Sequence, residues 1–326
     1  MKRFKNILYV AEPEADFRPA LDRAVTLAEN NQANLTAVSV MEKITADINT
    51  PDGGPVSAEL QSVLASSQLK KLEALVEPFR ERVAIQTGVL FGMSFLEIVR
   101  DVLRNDRDLV IKTPENPDWL TQIFGSDDMH LLRECPCPVW FVKAEALDKY
   151  RRILVAVDVE EKDSPAGSNT VHALNMQLLE IASSLALSEF AELHVVHVWN
   201  AVGESAMRGG FLNRPEEQVV AYVEQVRRQR EQALNVLLQR AVGGLGSDAL
   251  HYLKPETHLI KGLARNAIPL LAREINADLV VMGTLARTGI PGLIIGNTAE
   301  TILNQIECSV LAIKPPGFSA SVTLGE

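Results

Sequence analysis

The sequence predicts an α/β protein built as two tandem five-stranded parallel-sheet domains. Three observations lead there. The chain has 326 residues, and a single hydrophobic core stops growing near about 250–300 residues. Short apolar runs alternate with amphipathic stretches, the pattern of βαβ units around a parallel sheet. The same runs recur, in the same order, in both halves of the chain.

The first element of each half is a short apolar run ended by an acid. Asn6-Ile7-Leu8-Tyr9-Val10-Ala11-Glu12 opens one, and Arg152-Ile153-Leu154-Val155-Ala156-Val157-Asp158 opens the other. Each has the look of a strand buried on both faces. The next pair is Asn34–Val40 and Glu192–Val198. Asp108–Lys112 and Asp278–Met282 follow as the fourth strands, and Cys137–Lys143 and Cys308–Lys314 as the fifth. Spacing supports duplication. Gly92 to Asp108 and Gly262 to Asp278 are both 16 positions. Glu12 to Ala28 is 16 but Asp158 to Ala186 is 28; Ser39 to Gly92 is 53 but His197 to Gly262 is 65. The second copy thus carries two expansions, near Val159–Thr170 and near Gly243–Leu253.

Between the strands lie helical patterns. Ala20–Asn30 carries Ala20, Leu21, Ala24, Val25, Leu27 and Ala28 along one stripe. Leu60–Arg80 and Glu216–Arg240 are the long helices of the two halves. Phe95–Leu103 and Ala264–Glu274 precede the fourth strands. Right-handed crossovers would place helices on both sheet faces. The domains are expected at residues 1–146 and 147–326, joined by the polar link near Ala144–Lys149.

Composition limits the function. Against 32 basic side chains stand 42 acidic ones, for a net charge of −10. An acidic chain is a poor partner for nucleic acid or anionic membrane. Apolar residues are 47% and charged residues 23%, an ordinary globular balance that excludes a disordered or collagen-like chain. No apolar run approaches the ~18 residues of a membrane span. The apolar stretch of the N-terminus, Ile7–Ala11, is too short for a signal peptide. Three cysteines without an export signal fit a reducing cytoplasm.

Open α/β sheets bind ligands beyond the carboxyl ends of their strands, at the topological switch point. In the second half Asp158 follows strand one, and Gly283 through Glu300 follows strand four. Gly296-Asn297-Thr298 directly precedes a helical run, Ala299–Ile306. Free N–H groups at such a helix start suit an anion, although Asn297 or Thr298 serves equally as a plain N-cap. Asp158 reads as either a site residue or a capping acid, and Arg287 as either a phosphate partner or a solvated loop residue.

With those residues in view, the chain resembles the universal stress protein family. Nucleotide-binding members carry M-G-x-x-G, nine residues, then G-[ST] after a strand. Met282, Gly283 and Gly296 stand at the matching spacing, with Ala286 in place of the second glycine and Asn297 in place of the Ser/Thr. Strand five ending in Val310-Leu311-Ala312-Ile313-Lys314-Pro315 also looks like the family. The likeness covers nearly the whole chain, once per half, and is greatest to the tandem, E-type bacterial members. It implies a Rossmann-like, adenine-nucleotide-binding type of fold in each half. It also implies that Asp158 and the backbone near Val198 face an adenine. Met282, Gly283, Ala286, Arg287, Gly296, Asn297 and Thr298 would then surround ribose and phosphates of ATP or AMP. Single-domain members commonly dimerise through the fifth strand. The two halves are therefore expected to pair there within one chain, with a homodimer as a further possibility.

The first half departs from the motif. Glu12 and Pro13 replace the Asp158 position, Thr113 and Pro114 stand where Gly283 would recur, and Asp127 and Asp128 follow Gly125-Ser126. Those acids would repel a phosphate, so this half reads as a decayed site. His194 and His197 point to opposite faces of a strand and cannot share a metal. Cys135-Pro136-Cys137 lacks neighbouring ligands for zinc. No nucleophile elbow, Walker lysine or H-E-x-x-H is present. Arg227, Arg228, Arg230 and Glu231 read as a solvated helix face. The expectation is a non-enzymatic, cytoplasmic stress-response protein acting through a small ligand or a partner. The alternatives are a slow nucleotide hydrolase using the second pocket and a ligand-free scaffold.

Overall fold

The computed structural model describes residues 4–11, 18–43, 55–114, 127–143, 145–146, 148–159, 168–209, 212–243, 252–284 and 296–324. The first half holds β1 (Asn6–Ala11), α1 (Arg18–Asn31), β2 (Asn34–Met41), α2 (Pro55–Val76), β3 (Ile85–Phe91), α3 (Ser94–Arg104), β4 (Leu109–Lys112), α4 (Asp127–Glu134) and β5 (Val139–Phe141). The second holds β6 (Arg152–Ala156), α5 (Ser168–Glu189), β7 (Glu192–Trp199), α6 (Glu204–Arg208), α7 (Glu216–Gly243), β8 (Glu256–Lys261), α8 (Ala264–Glu274), β9 (Leu279–Gly283), α9 (Asn297–Leu303) and β10 (Ser309–Ile313).

By residue contacts the chain divides between Asp148 and Lys149, and Cys308–Glu326 groups with the first-half residues. That unit has strand order β3-β2-β1-β4-β5-β10. Its first five strands are parallel. β10 joins antiparallel to β5, with Val310 opposite Phe141 and Ala312 opposite Val139. An apolar edge such as Val139–Phe141 needs a partner strand, and the fifth strand of the repeat supplies it. The other unit has order β9-β6-β7-β8, all parallel.

The repeat has a physical basis at two positions. The residue before the fourth strand is Asp in both halves, and its carboxylate accepts backbone N–H groups at the start of strand one. Asp108 accepts from Asn6 at 3.1 Å, and Asp278 from Arg152 at 2.9 Å. Gly92 and Gly262 end the third strands at φ 145° and 157°, a region open to glycine. Each donates its N–H to the end of strand two, at Met41 O and Trp199 O, both at 2.9 Å. The 16-residue interval from that glycine to that aspartate is therefore one α-helical crossover with fixed ends.

The strands are the core. Ile7, Leu8, Tyr9, Val110, Ile111, Trp140 and Phe141 are buried in one unit. Ile153, Leu154, Val155, Val195, Val196, Val280 and Val281 are buried in the other. Among the described residues, no helix is long and apolar enough to cross a membrane.

Candidate functional site at the carboxyl ends of β6 and β9

β6 lies between β7 and β9, with Ala156 opposite both Val196 and Met282. The chain leaves β6 for β7 on one side and reaches β9 on the other, so the switch point lies between Asp158 and Gly283. Six of the nine residues expected at the site meet around this edge. Met282 is buried in the sheet, Gly296 is buried, and Gly283 and Asp158 are half-buried. Asn297 and Thr298 are exposed on the first turn of α9. Val198 is half-buried near the end of β7. Ala286 and Arg287 lie outside the described residues, as does most of the first expansion.

The loop that carries the motif begins and ends at one point. Gly296 N–H donates to Thr284 O at 3.3 Å. Gly296 is the N-cap residue of α9, and no side chain caps this helix. The capping role open to Asn297 and Thr298 in the sequence is therefore not taken up. The hydroxyl of Thr284 is buried and has no hydrogen-bond partner among the described residues, an arrangement that costs free energy unless something answers it.

Around this edge the strand end of β6 is tightly held. Asn175, on α5, accepts the Asp158 N–H at 3.0 Å and donates to Asp158 O at 2.6 Å. His197 Nδ1 accepts the Val159 N–H at 3.4 Å. Arg230 on α7 donates to Val159 O at 2.9 Å. That corrects the reading of Arg230 as a solvated side chain: it reaches back to the end of β6, whereas Arg227 and Arg228 do pair with Glu224 on the helix surface. Sequence patterns did not single out Asn175, because its role depends on how α5 lies against β6.

Gly283 also has a packing role. A Cβ there would fall 2.7 Å from Leu174 Cδ2, so α5 approaches β9 as closely as it does because residue 283 has no side chain. Trp199 is the last residue of β7. It is buried with Ala201 and Val226 under α7, within its own unit. Met207 lies on α6, Leu212 is exposed, and Phe211 lies outside the described residues.

In the first half, Lys112 takes the place of Met282, and Asp128 sits at the second position of α4, as Thr298 does in α9. Lys112 Nζ and an Asp128 carboxylate oxygen lie 2.6 Å apart with both side chains 1% exposed. The acid expected to repel a phosphate is thus paired to a buried lysine. The cation that would counter a ligand's charge is already neutralised. Glu12 and Gly125-Ser126 lie outside the described residues.

One cluster was missed. His194 and His197 do point to opposite faces, but His194 Nδ1 lies 3.0 Å from His258 Nε2 on the neighbouring strand. Only the register of β7 against β8 reveals this pair.

Comparison with known proteins follows the same division. The sequence profile of the universal stress protein family matches residues 3–143 and again 149–314. Universal stress protein E of Photorhabdus laumondii is 27% identical over 327 residues, covering 99% of this chain and 98% of that protein. Its counterpart in Escherichia coli K12 is 30% identical over 332 residues, covering 100% and 99%. A homolog in Haemophilus influenzae is 31% identical, covering 96% and 98%. A solved universal stress protein structure from Pseudomonas aeruginosa aligns with TM-score 0.65 at 26% identity, covering 96% of this chain and 94% of that one.

Proposed function

Because the chain belongs to the universal stress protein family, we propose that it is a non-enzymatic, cytoplasmic stress-response protein whose second half binds a small ligand beyond β6 and β9. The ligand class is an adenine nucleotide, with AMP favoured over ATP. The observation that carries this reading is the buried hydroxyl of Thr284, without a partner among the described residues, where Gly296 N–H meets Thr284 O. A ligand oxygen there would complete its hydrogen bonding, beside the uncapped first turn of α9. Preference for the smaller charge rests on Glu160, Glu161 and Asp163, three acids that follow β6 in the sequence and would disfavour a triphosphate. The Lys112–Asp128 pair supports assigning binding to the second half alone.

The test is calorimetric titration of tag-free protein with AMP and with ATP, after mass analysis of any nucleotide released on denaturation. AMP is expected to bind weakly, and Gly296→Asp to abolish it by placing a carboxylate at the anion. Ala286→Gly with Asn297→Ser, which restores the family motif, is expected to tighten binding. Unchanged affinity in Gly296→Asp removes this site. Phosphate release from ATP with magnesium, lost in the same variant, would replace the binding reading with slow hydrolysis.

A further inference from the structure

We infer that the beginnings of β7 and β8 form a site for a divalent transition metal of the zinc class, held by His194, His258 and Glu256. The parallel register sets His194 opposite Glu256 and Val196 opposite His258. Side chains two apart on a strand share a face, so Glu192, His194, Glu256 and His258 all project from one side of this edge. His194 Nδ1 is 3.0 Å from His258 Nε2 and 3.6 Å from a Glu256 carboxylate oxygen. His258 Nε2 is 3.9 Å from the other Glu256 oxygen. Two imidazoles and one carboxylate thus offer ligand atoms within 4.8 Å of one another. With metal–ligand bonds of ~2.0–2.2 Å, a tetrahedral ion spaces its ligands by roughly 3.3 Å. Small side-chain rotations would close the observed spacing onto one ion, leaving a fourth position for water.

The surroundings suit a cation. His194 is buried, and its second nitrogen, Nε2, has no hydrogen-bond partner among the described residues. Glu192 stands 3.7 Å from that nitrogen. A proton on Nε2 facing Glu192 would leave the Nδ1 lone pair for the metal, the carboxylate–histidine–metal arrangement that fixes a ligand's tautomer. Glu192 and Glu256 set two carboxylates beside the two rings. The site stands at the amino ends of the strands, opposite the Gly283–Gly296 edge, and is independent of any nucleotide there. The competing account is that the two rings share one N–H···N hydrogen bond and bind no metal.

Chelator-stripped, tag-free protein titrated with zinc against a chromogenic competitor decides between them. One zinc per chain is expected. His258→Ala should weaken it beyond detection, and Glu192→Gln by about 10-fold or more, the usual size of an outer-ligand effect. Cobalt in place of zinc should give the visible absorption of a four-coordinate site, absent in His258→Ala. His258 is partly exposed, so its variant is expected to fold, with circular dichroism as the check. Absence of stoichiometric zinc binding, or binding that persists in His258→Ala and vanishes in Cys135→Ser with Cys137→Ser, overturns the proposal.

Discussion

Removing the carboxylate of Asp128 should unfold the first half more than any surface substitution could. Lys112 and Asp128 lie 2.6 Å apart and are each 1% exposed. At an effective dielectric of about 20, that separation corresponds to roughly 6 kcal/mol of attraction. Desolvating the two ions costs a similar amount, so the intact pair contributes little net stability. The asymmetry lies in the single variants. Asp128→Ala leaves a buried ammonium uncompensated, at a cost of about 3–5 kcal/mol. With a urea m-value of about 2 kcal/mol/M, the midpoint of that unit should fall by roughly 2 M. The double variant Lys112→Met with Asp128→Thr installs what the second half carries at Met282 and Thr298. It should return to within about 1–2 kcal/mol of the wild type, because no charge is left buried. The assay is urea unfolding followed by circular dichroism on all three proteins. A shift below about 0.5 M for Asp128→Ala, or a double variant as unstable as Asp128→Ala, would refute the reasoning.

Two further outcomes follow from packing and burial. Gly283→Ala should cost about 1–3 kcal/mol by forcing Leu174 aside, and Leu174→Ala about 2–5 kcal/mol by leaving a cavity. The double variant should be less unstable than the sum by at least about 1 kcal/mol, and strict additivity in thermal unfolding would show that the two residues do not meet. Lys314 is pushed down to about 8, chiefly by burial, while its Nζ donates to Arg133 O at 3.0 Å. Between that value and its ordinary 10.5 the unfolded chain binds the proton and the folded chain does not, so stability rises with pH. Relative to Lys314→Met, the wild type should gain up to about 3 kcal/mol from pH 7 to pH 10.5. A pH-independent difference between the two proteins would remove the burial argument.

The sequence by itself determined the architecture, because its causes are local. Strands buried on both faces must be continuous apolar runs, as Ile153–Val157 and Leu279–Met282 are. The crossover from Gly92 to Asp108 and from Gly262 to Asp278 has the same length because both ends are fixed by backbone hydrogen bonds. Helix positions were legible to within a few residues, as Ala264–Glu274 shows. The two strands left unlocated, Ile85–Phe91 and Glu256–Lys261, are half-exposed edges whose apolar signal is diluted. Of the candidate site, the motif residues from Asp158 to Thr298 were legible as a spacing. What surrounds them was not. Asn175, Leu174 and Arg230 come to the site from helices, and a helix's rotation against a sheet is set by packing along its whole length. Lys112 and Asp128 were each visible as charges, but pairing them required the N-terminus of α4 to lie over the end of β4. His194 and His258 stand 64 residues apart, and only strand register brings them together. Periodicity fixes which face a side chain takes; tertiary structure alone decides what stands opposite.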